Sequence, residues 1–322
     1  MRLLLVELNR FRSRRAIALI ALATVLVGVA FVAATAWNTR PLTQADRTDA
    51  AAQAALEGQR AELQQEVKAC RADPAGYLGP SGTAAECADA LVPSAESYYT
   101  RDALDLRKVL DEEGIGLALV VIGLIVIAGS TFVGADWSSG SLTNQLVFDP
   151  RRVRVWLAKA AAVMVGSGVI TLVVLSAFWL GLGLIDEARG VSTSSADLTH
   201  LVWHVVRAVG LGMAAGLGAF ALTMIFRHTV ATLALLFVYA VGGEILVNLL
   251  PVDGAGRWSV GNNAMGWLAR HHDYYDPSIT CSPGSRCSTT QVMSHLEAGS
   301  FLGVLLAISV VVSLVWFSRR DV

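Results

Sequence analysis

Six stretches of this sequence are apolar for long enough to cross a bilayer, and that constrains the chain more than any other feature. They run from Ala16 to Trp37, Ile115 to Val133, Ala160 to Ile185, Leu201 to Phe226, Thr229 to Leu250 and Gly299 to Phe317. A helix rises ~1.5 Å per residue and satisfies its own backbone groups, so about 20 apolar residues cover the ~30 Å of hydrocarbon where no water can help. With 54% hydrophobic and only 16% charged residues, the chain is too apolar for an ordinary soluble domain. The expected fold is an all-α integral membrane protein with six transmembrane helices, an amphipathic interfacial helix at the amino terminus and a small external helical domain.

The arginines orient the spans. Arg2, Arg10, Arg12, Arg14 and Arg15 precede the first, Arg151, Arg152, Arg154 and Lys159 lie between the second and third, Arg227 separates the fourth and fifth, and Arg319 and Arg320 follow the sixth. Both termini are therefore expected in the cytoplasm, with the chain multi-pass in the plasma membrane. The first external loop holds eight Lys and Arg but fourteen acids, and long translocated loops weigh little in this rule. A cleaved export signal ending at Ala34-Thr35-Ala36 is the rival reading. It is disfavoured because the apolar run is about twice a typical signal core and its removal would put the ends on opposite sides.

The same segments set the expected domain order. Residues 1–15 form the cytoplasmic amphipathic helix, with Leu3, Leu4, Val6, Leu8 and Phe11 interleaved among charges. The first span is 16–37, the external helical domain 38–114 and the second span 115–133. A cytoplasmic segment fills 134–159, spans three to five fill 160–250, an external re-entrant or interfacial region fills 251–298, and the sixth span with a short tail completes 299–322. Helix-forming composition from Thr43 to Cys70 gives way to breakers from Asp73 to Gly82. Cys70, Cys87, Cys281 and Cys287 all fall outside in this topology, which favours disulfides. Four cysteines allow three pairings, and the two local ones, Cys70 with Cys87 and Cys281 with Cys287, are preferred.

Chemistry is sparse. The three lysines, Lys68, Lys108 and Lys159, stand in no phosphate-cradling loop, and neither a zinc-protease helix nor a nucleophile elbow is present. No enzyme, metal site, bound cofactor or nucleic-acid partner is expected of this chain. His200 and His204 share a helix face, and His271, His272 and Asp273 are adjacent, but both groups read as interfacial residues. Arg207 and Glu244 lie within spans at matching depth, about 10 Å below the outer boundary, and are expected to share one polar site. Gly210, Ala214 and Gly218, with Gly212 and Gly216 beside them, permit close helix packing.

The break between spans two and three carries the most information. Leu142, Leu146 and Val147 recur at helical spacing as an apolar ridge, Asp136 and Ser141 lie near the start of that short helix, and Pro150 ends it. Asp136, then Gly140-Ser141-Leu142, then Leu146, then Pro150-Arg151-Arg152, then Lys159 resembles the cytoplasmic connection of type-2 ATP-binding-cassette transporter permeases, the exporter-like transmembrane subunits. Asp and Ser stand where that family more often has Glu and Thr, and the first external domain is larger than in minimal members. Membership would imply two permease subunits, as a homo- or heterodimer in membrane lipid, and two separate P-loop ATPase chains that carry ATP and Mg2+. Alternating access would then be driven through a ridge of Leu142 and Leu146 seated in an ATPase cleft, with Arg151 and Arg152 at its rim. On that expectation, charges at Leu142 and Leu146 leave the bundle inserted and release the ATPase. The alternative is a non-transporting sensor or scaffold whose receptor is the external domain.

Overall fold

In the computed structural model, which describes residues 2–190, 195–249, 252, 254–269, 271–276, 278–279 and 288–319, the basic amino terminus is helical from the start. Helix α1 (Arg2–Ser13) is followed after Arg14 by α2 (Arg15–Asn38). The inward side of α1 is set by Glu7 and Phe11, one turn apart and both buried, while Leu5 and Val6 are exposed. Gly166 makes this packing possible, because a side chain there would collide with the Phe11 ring.

Residues 34–105 form a compact unit of their own. It contains α3 (Gln44–Gly58), α4 (Ala61–Ala72), α5 (Pro74–Leu78), α6 (Glu86–Leu91) and a 3-10 turn at Ala95–Tyr98. The helix-forming run is thus split at Gly58, in keeping with the low helix propensity of glycine. Thr43 and Asp46 cap α3 reciprocally, and Arg101 pairs with Asp46. A disulfide joins Cys70 of α4 to Cys87 of α6 across a separation of 17 residues, with both cysteines fully buried. Loop-closure entropy for a loop of this size is worth about 3 kcal/mol. Replacing both cysteines by serine in the full chain should therefore expose α4 and α6 to proteolysis at denaturant concentrations where the parent resists it. The Cys281 and Cys287 pairing lies outside the described residues.

The second unit holds Met1–Ala33 and Leu106–Val322. It continues with α7 (Leu106–Val109), a π-helical turn at Leu110–Gly114, α8 (Ile115–Ser138), α9 (Ser141–Phe148), α10 (Arg152–Ala188), α11 (Ser195–Phe226), α12 (Thr229–Val238), a π turn at Tyr239–Gly243, and α13 (Glu244–Leu249). After a 3-10 turn come α14 (Val260–Leu268), strands β1 (Asp273–Tyr275) and β2 (Thr290–Val292), paired antiparallel, and α15 (His295–Arg319). Among the described residues, six helical segments are long and apolar enough to cross a membrane, the architecture of a multi-pass membrane protein. The small β pair departs from the all-helical expectation.

Helices α8, α10 and α11 pack together, α1 lies on α10, and α15 lies on α11. Buried Leu117, Val121, Ile125, Ala128 and Phe132 trace one stripe of α8 at helical spacing. A close crossing brings Gly129 of α8 to Gly216 of α11, where an added side chain would meet backbone oxygen at 2.6 Å. Gly212 and Gly216 likewise abut Thr171 and Ser167 of α10, whereas Gly210 touches nothing. Close packing is thus made by the flanking glycines rather than by the Gly210–Ala214–Gly218 row. Elsewhere apolar side chains stay uncovered, among them Leu22 and Leu26 of α2, Phe237 of α12 and Val304 and Ile308 of α15, as helices facing hydrocarbon require.

In the 252–292 region, buried Asp276 accepts from the Ser278 hydroxyl and amide, the Gly254 amide and Gln291. The Ser278 hydroxyl, more than any other partner, holds this carboxyl below the ordinary carboxylate range. Its stabilising contribution is present above the unfolded value of about 3.9 and is lost as pH falls through the lower folded value. Amide protection of Gly254 should hold to about pH 4 and decline in stronger acid, and Asp276→Asn should flatten that decline.

Candidate functional site

At the end of the bundle where α1, α8, α9 and α10 meet, five charged side chains converge on a space lined by aromatic rings. Lys159 of α10 is fully buried and donates to Asp136 at 2.6 Å and to Glu7 at 2.9 Å. Asp136, near the end of α8, also pairs with Arg14 and accepts from the Ser141 hydroxyl at 2.8 Å. Glu7 accepts from Gln145 of α9 at 2.8 Å and from Arg10 at 3.2 Å, and Arg10 also donates to the Gln145 carbonyl. Both carboxylates are buried, yet each is held by cations and by a neutral donor from α9, so neither is left uncompensated.

Phe132 organises the cations. Its ring lies 4.9 Å from the Arg14 guanidinium and 5.3 Å from the Lys159 ammonium, while its carbonyl accepts from Arg14 at 2.5 Å. Phe11 meets the same ring edge-to-face, with centroids 5.3 Å apart. One connected group of side chains therefore links the amino-terminal helix, two long helices and α9. These contacts fix the position of α9 relative to three other helices.

Helix α9 starts from Gly140, whose φ of +68° is costly for any residue with a Cβ. It ends before Pro150, which cannot donate a backbone hydrogen bond. Leu142 is fully buried in the bundle core, and Leu146 packs against that core. The apolar ridge expected to face a partner is thus turned inward, because Ser141 and Gln145 must reach Asp136 and Glu7 on the same side. The apolar residues that α9 leaves uncovered are Val147 and Phe148, 76% and 89% exposed, beside the polar Thr143 and Asn144. Because Leu142 is buried, charged substitutions there should damage the packing of the bundle as well as any docking, so the expectation that they leave the inserted bundle intact does not follow from this structure. Arg151 is exposed and Arg152 half-buried just beyond. Arg227, in left-handed backbone at φ 58°, stacks on Trp137 at 4.6 Å.

The structure brings Asp136, Ser141 and Lys159 together, and adds Glu7, Arg10, Arg14 and Gln145, which sequence reasoning did not single out. One signal could have found Glu7: it is the only acid ahead of Asp46, set among five arginines before an apolar span. Arg207 and Glu244 are not joined. A π turn adds a residue ahead of Glu244, and its carboxylate accepts from the Ser259 hydroxyl and, at 2.9 Å, from the Gly261 amide at the start of α14. Equal depth does not fix the direction in which two helices point their side chains. Among the described residues no three His, Cys, Asp or Glu side chains are placed to hold a metal ion. Comparison with family models, curated proteins and solved structures yields no match.

Proposed function

We propose that this chain is the permease subunit of an ATP-driven transporter of the type-2 ATP-binding-cassette kind, working as an exporter. In this reading both termini and α9 are cytoplasmic in the plasma membrane, and the 34–105 unit is external. Two such subunits act with two P-loop ATPase chains, which bind ATP and Mg2+ and close on each other. The observation that carries the reading is the construction of α9. A short helix whose inner side is clamped by buried ions and Leu142, and whose tip presents Val147 and Phe148, can receive a push and pass it to several helices at once.

Affinity purification of the chain from its native membrane tests this. A co-purifying P-loop ATPase, with turnover that responds to a permeant, is the expected result. A second reading, a sensor or scaffold, is favoured by the separate folding of the 34–105 unit around its own disulfide. Recovery of a partner bound through that unit, with no ATPase, would select it instead.

A further inference from the structure

Helix α11, whose Met224 joins the apolar core that also holds Phe11 and Phe132, carries a different chemistry about 30 Å back along its axis, at the rise of an α-helix. There a cavity of about 430 Å³ is lined by His200, Trp203, His204 and Arg207 of α11, by His271, and by His295 at the start of α15. Spacings of four and three residues put His200, His204 and Arg207 on one side of α11. Trp267 of α14 donates to the Arg207 carbonyl at 3.0 Å, and His295 Nδ1 donates to the Gly266 carbonyl at 2.8 Å, so α14 is fastened to both helices that bear the basic groups.

None of the described lining residues is acidic. Of the acids nearby, Asp197 pairs with Arg107 at 2.5 Å and Glu297 accepts from Ser294, while Asp111 stands close enough to act on His204 but not on Arg207. Arg207 makes no ion pair among the described residues. A permanent cation within a span costs at least ~2.5 kcal/mol on insertion scales and therefore faces a counter-charge or a watery cavity. Immediately beside it on α11, Val202, Trp203 and Val206 are exposed, the surface that hydrocarbon chains would cover.

We propose that this cavity binds the anionic head group of a bilayer amphiphile. Arg207 supplies the fixed positive charge, the imidazoles supply hydrogen bonds, and the amphiphile's chains lie along Val202 and Val206. This names a substrate class for the transport reading and rests on that reading only for the translocation step after binding; the binding itself needs no ATPase.

The test uses the purified full chain in nanodiscs of phosphatidylcholine and phosphatidylglycerol, with bromine carried by one lipid or the other. Quenching of Trp203 is isolated by difference from Trp203→Phe. Phosphatidylglycerol should occupy the site about fivefold more strongly than phosphatidylcholine, the worth of one basic residue beside an anionic lipid. The preference should vanish in Arg207→Gln and weaken in His271→Ala, which removes a lining hydrogen-bond donor at an exposed position where the fold is spared. Millimolar inorganic phosphate should leave it intact. Equal quenching by both lipids, or a preference unchanged in both variants, overturns the proposal; displacement by inorganic phosphate assigns the cavity to a soluble oxyanion and also overturns it. A lipid preference in a chain that neither transports nor binds an ATPase would reject the transport reading and leave this site standing.

Discussion

Lys159→Met should be among the most damaging single substitutions in the bundle. It removes the ammonium that Glu7 and Asp136 share and leaves their carboxylates with less compensation in a buried site. Breaking a buried pair in this way costs about 3 to 5 kcal/mol, far more than an exposed ion pair contributes. Arg14, 23% exposed and bonded to the Phe132 carbonyl, cannot move across to replace it without giving up that bond. The combined variant Glu7→Gln, Asp136→Asn, Lys159→Met should recover part of the loss, because no buried carboxylate or ammonium is then left unpaired, while Arg14 and Arg10 lose their counter-charges but keep 23% and 43% exposure to water. Denaturant unfolding in mild detergent, read through tryptophan fluorescence, checks this. A single-variant loss below about 1 kcal/mol would mean that water reaches the cluster and that the ions do not clamp α9.

How much of this was legible in the sequence depends on the range of the interaction. The spans could be located closely, since a run of about 20 apolar residues is a local property. Their helices extend past the apolar cores, α10 most of all, because polar residues such as Arg152 and Glu187 continue the helix beyond them. Asp136 and Lys159 were visible as elements of a pattern, yet their contact was not, and the link from Lys159 to Glu7 crosses 152 residues. The direction of the α9 ridge was ambiguous for a different reason. Leucine at helical spacing suits a core as well as a partner, and only the polar residues beside it, Ser141 and Gln145, decide which side is inward. Arg207 and Glu244 were matched in depth, but rotation about a helix axis is set by packing and by a π turn that hydropathy does not reveal. Three-residue strands such as β1 and β2 are too short to establish a period of two.

The inward turn of Leu142 moves the weight of the functional proposal onto two residues. Val147 and Phe148 make few contacts within the chain, so Val147→Asp with Phe148→Asp should leave insertion, the ionic cluster and unfolding behaviour at parent levels. If α9 seats in an ATPase cleft, the same change puts two carboxylates into a desolvated contact and removes an aromatic anchor. Truncating such an anchor costs about 2 kcal/mol or more, and burying an unpaired charge adds to it, so affinity should fall roughly thirtyfold at least. Arg151→Ala should cost far less, about 0 to 1 kcal/mol, as befits an exposed rim charge. The contrast with Leu142→Asp separates docking from folding: that variant should lose the fold and the partner together, the tip variant only the partner. Co-purification and transport-coupled ATP turnover, measured on the same preparations as thermal unfolding, decide the matter. A folded tip variant that keeps both at parent levels would leave α9 a structural strut and remove it as the route by which an ATPase moves this bundle.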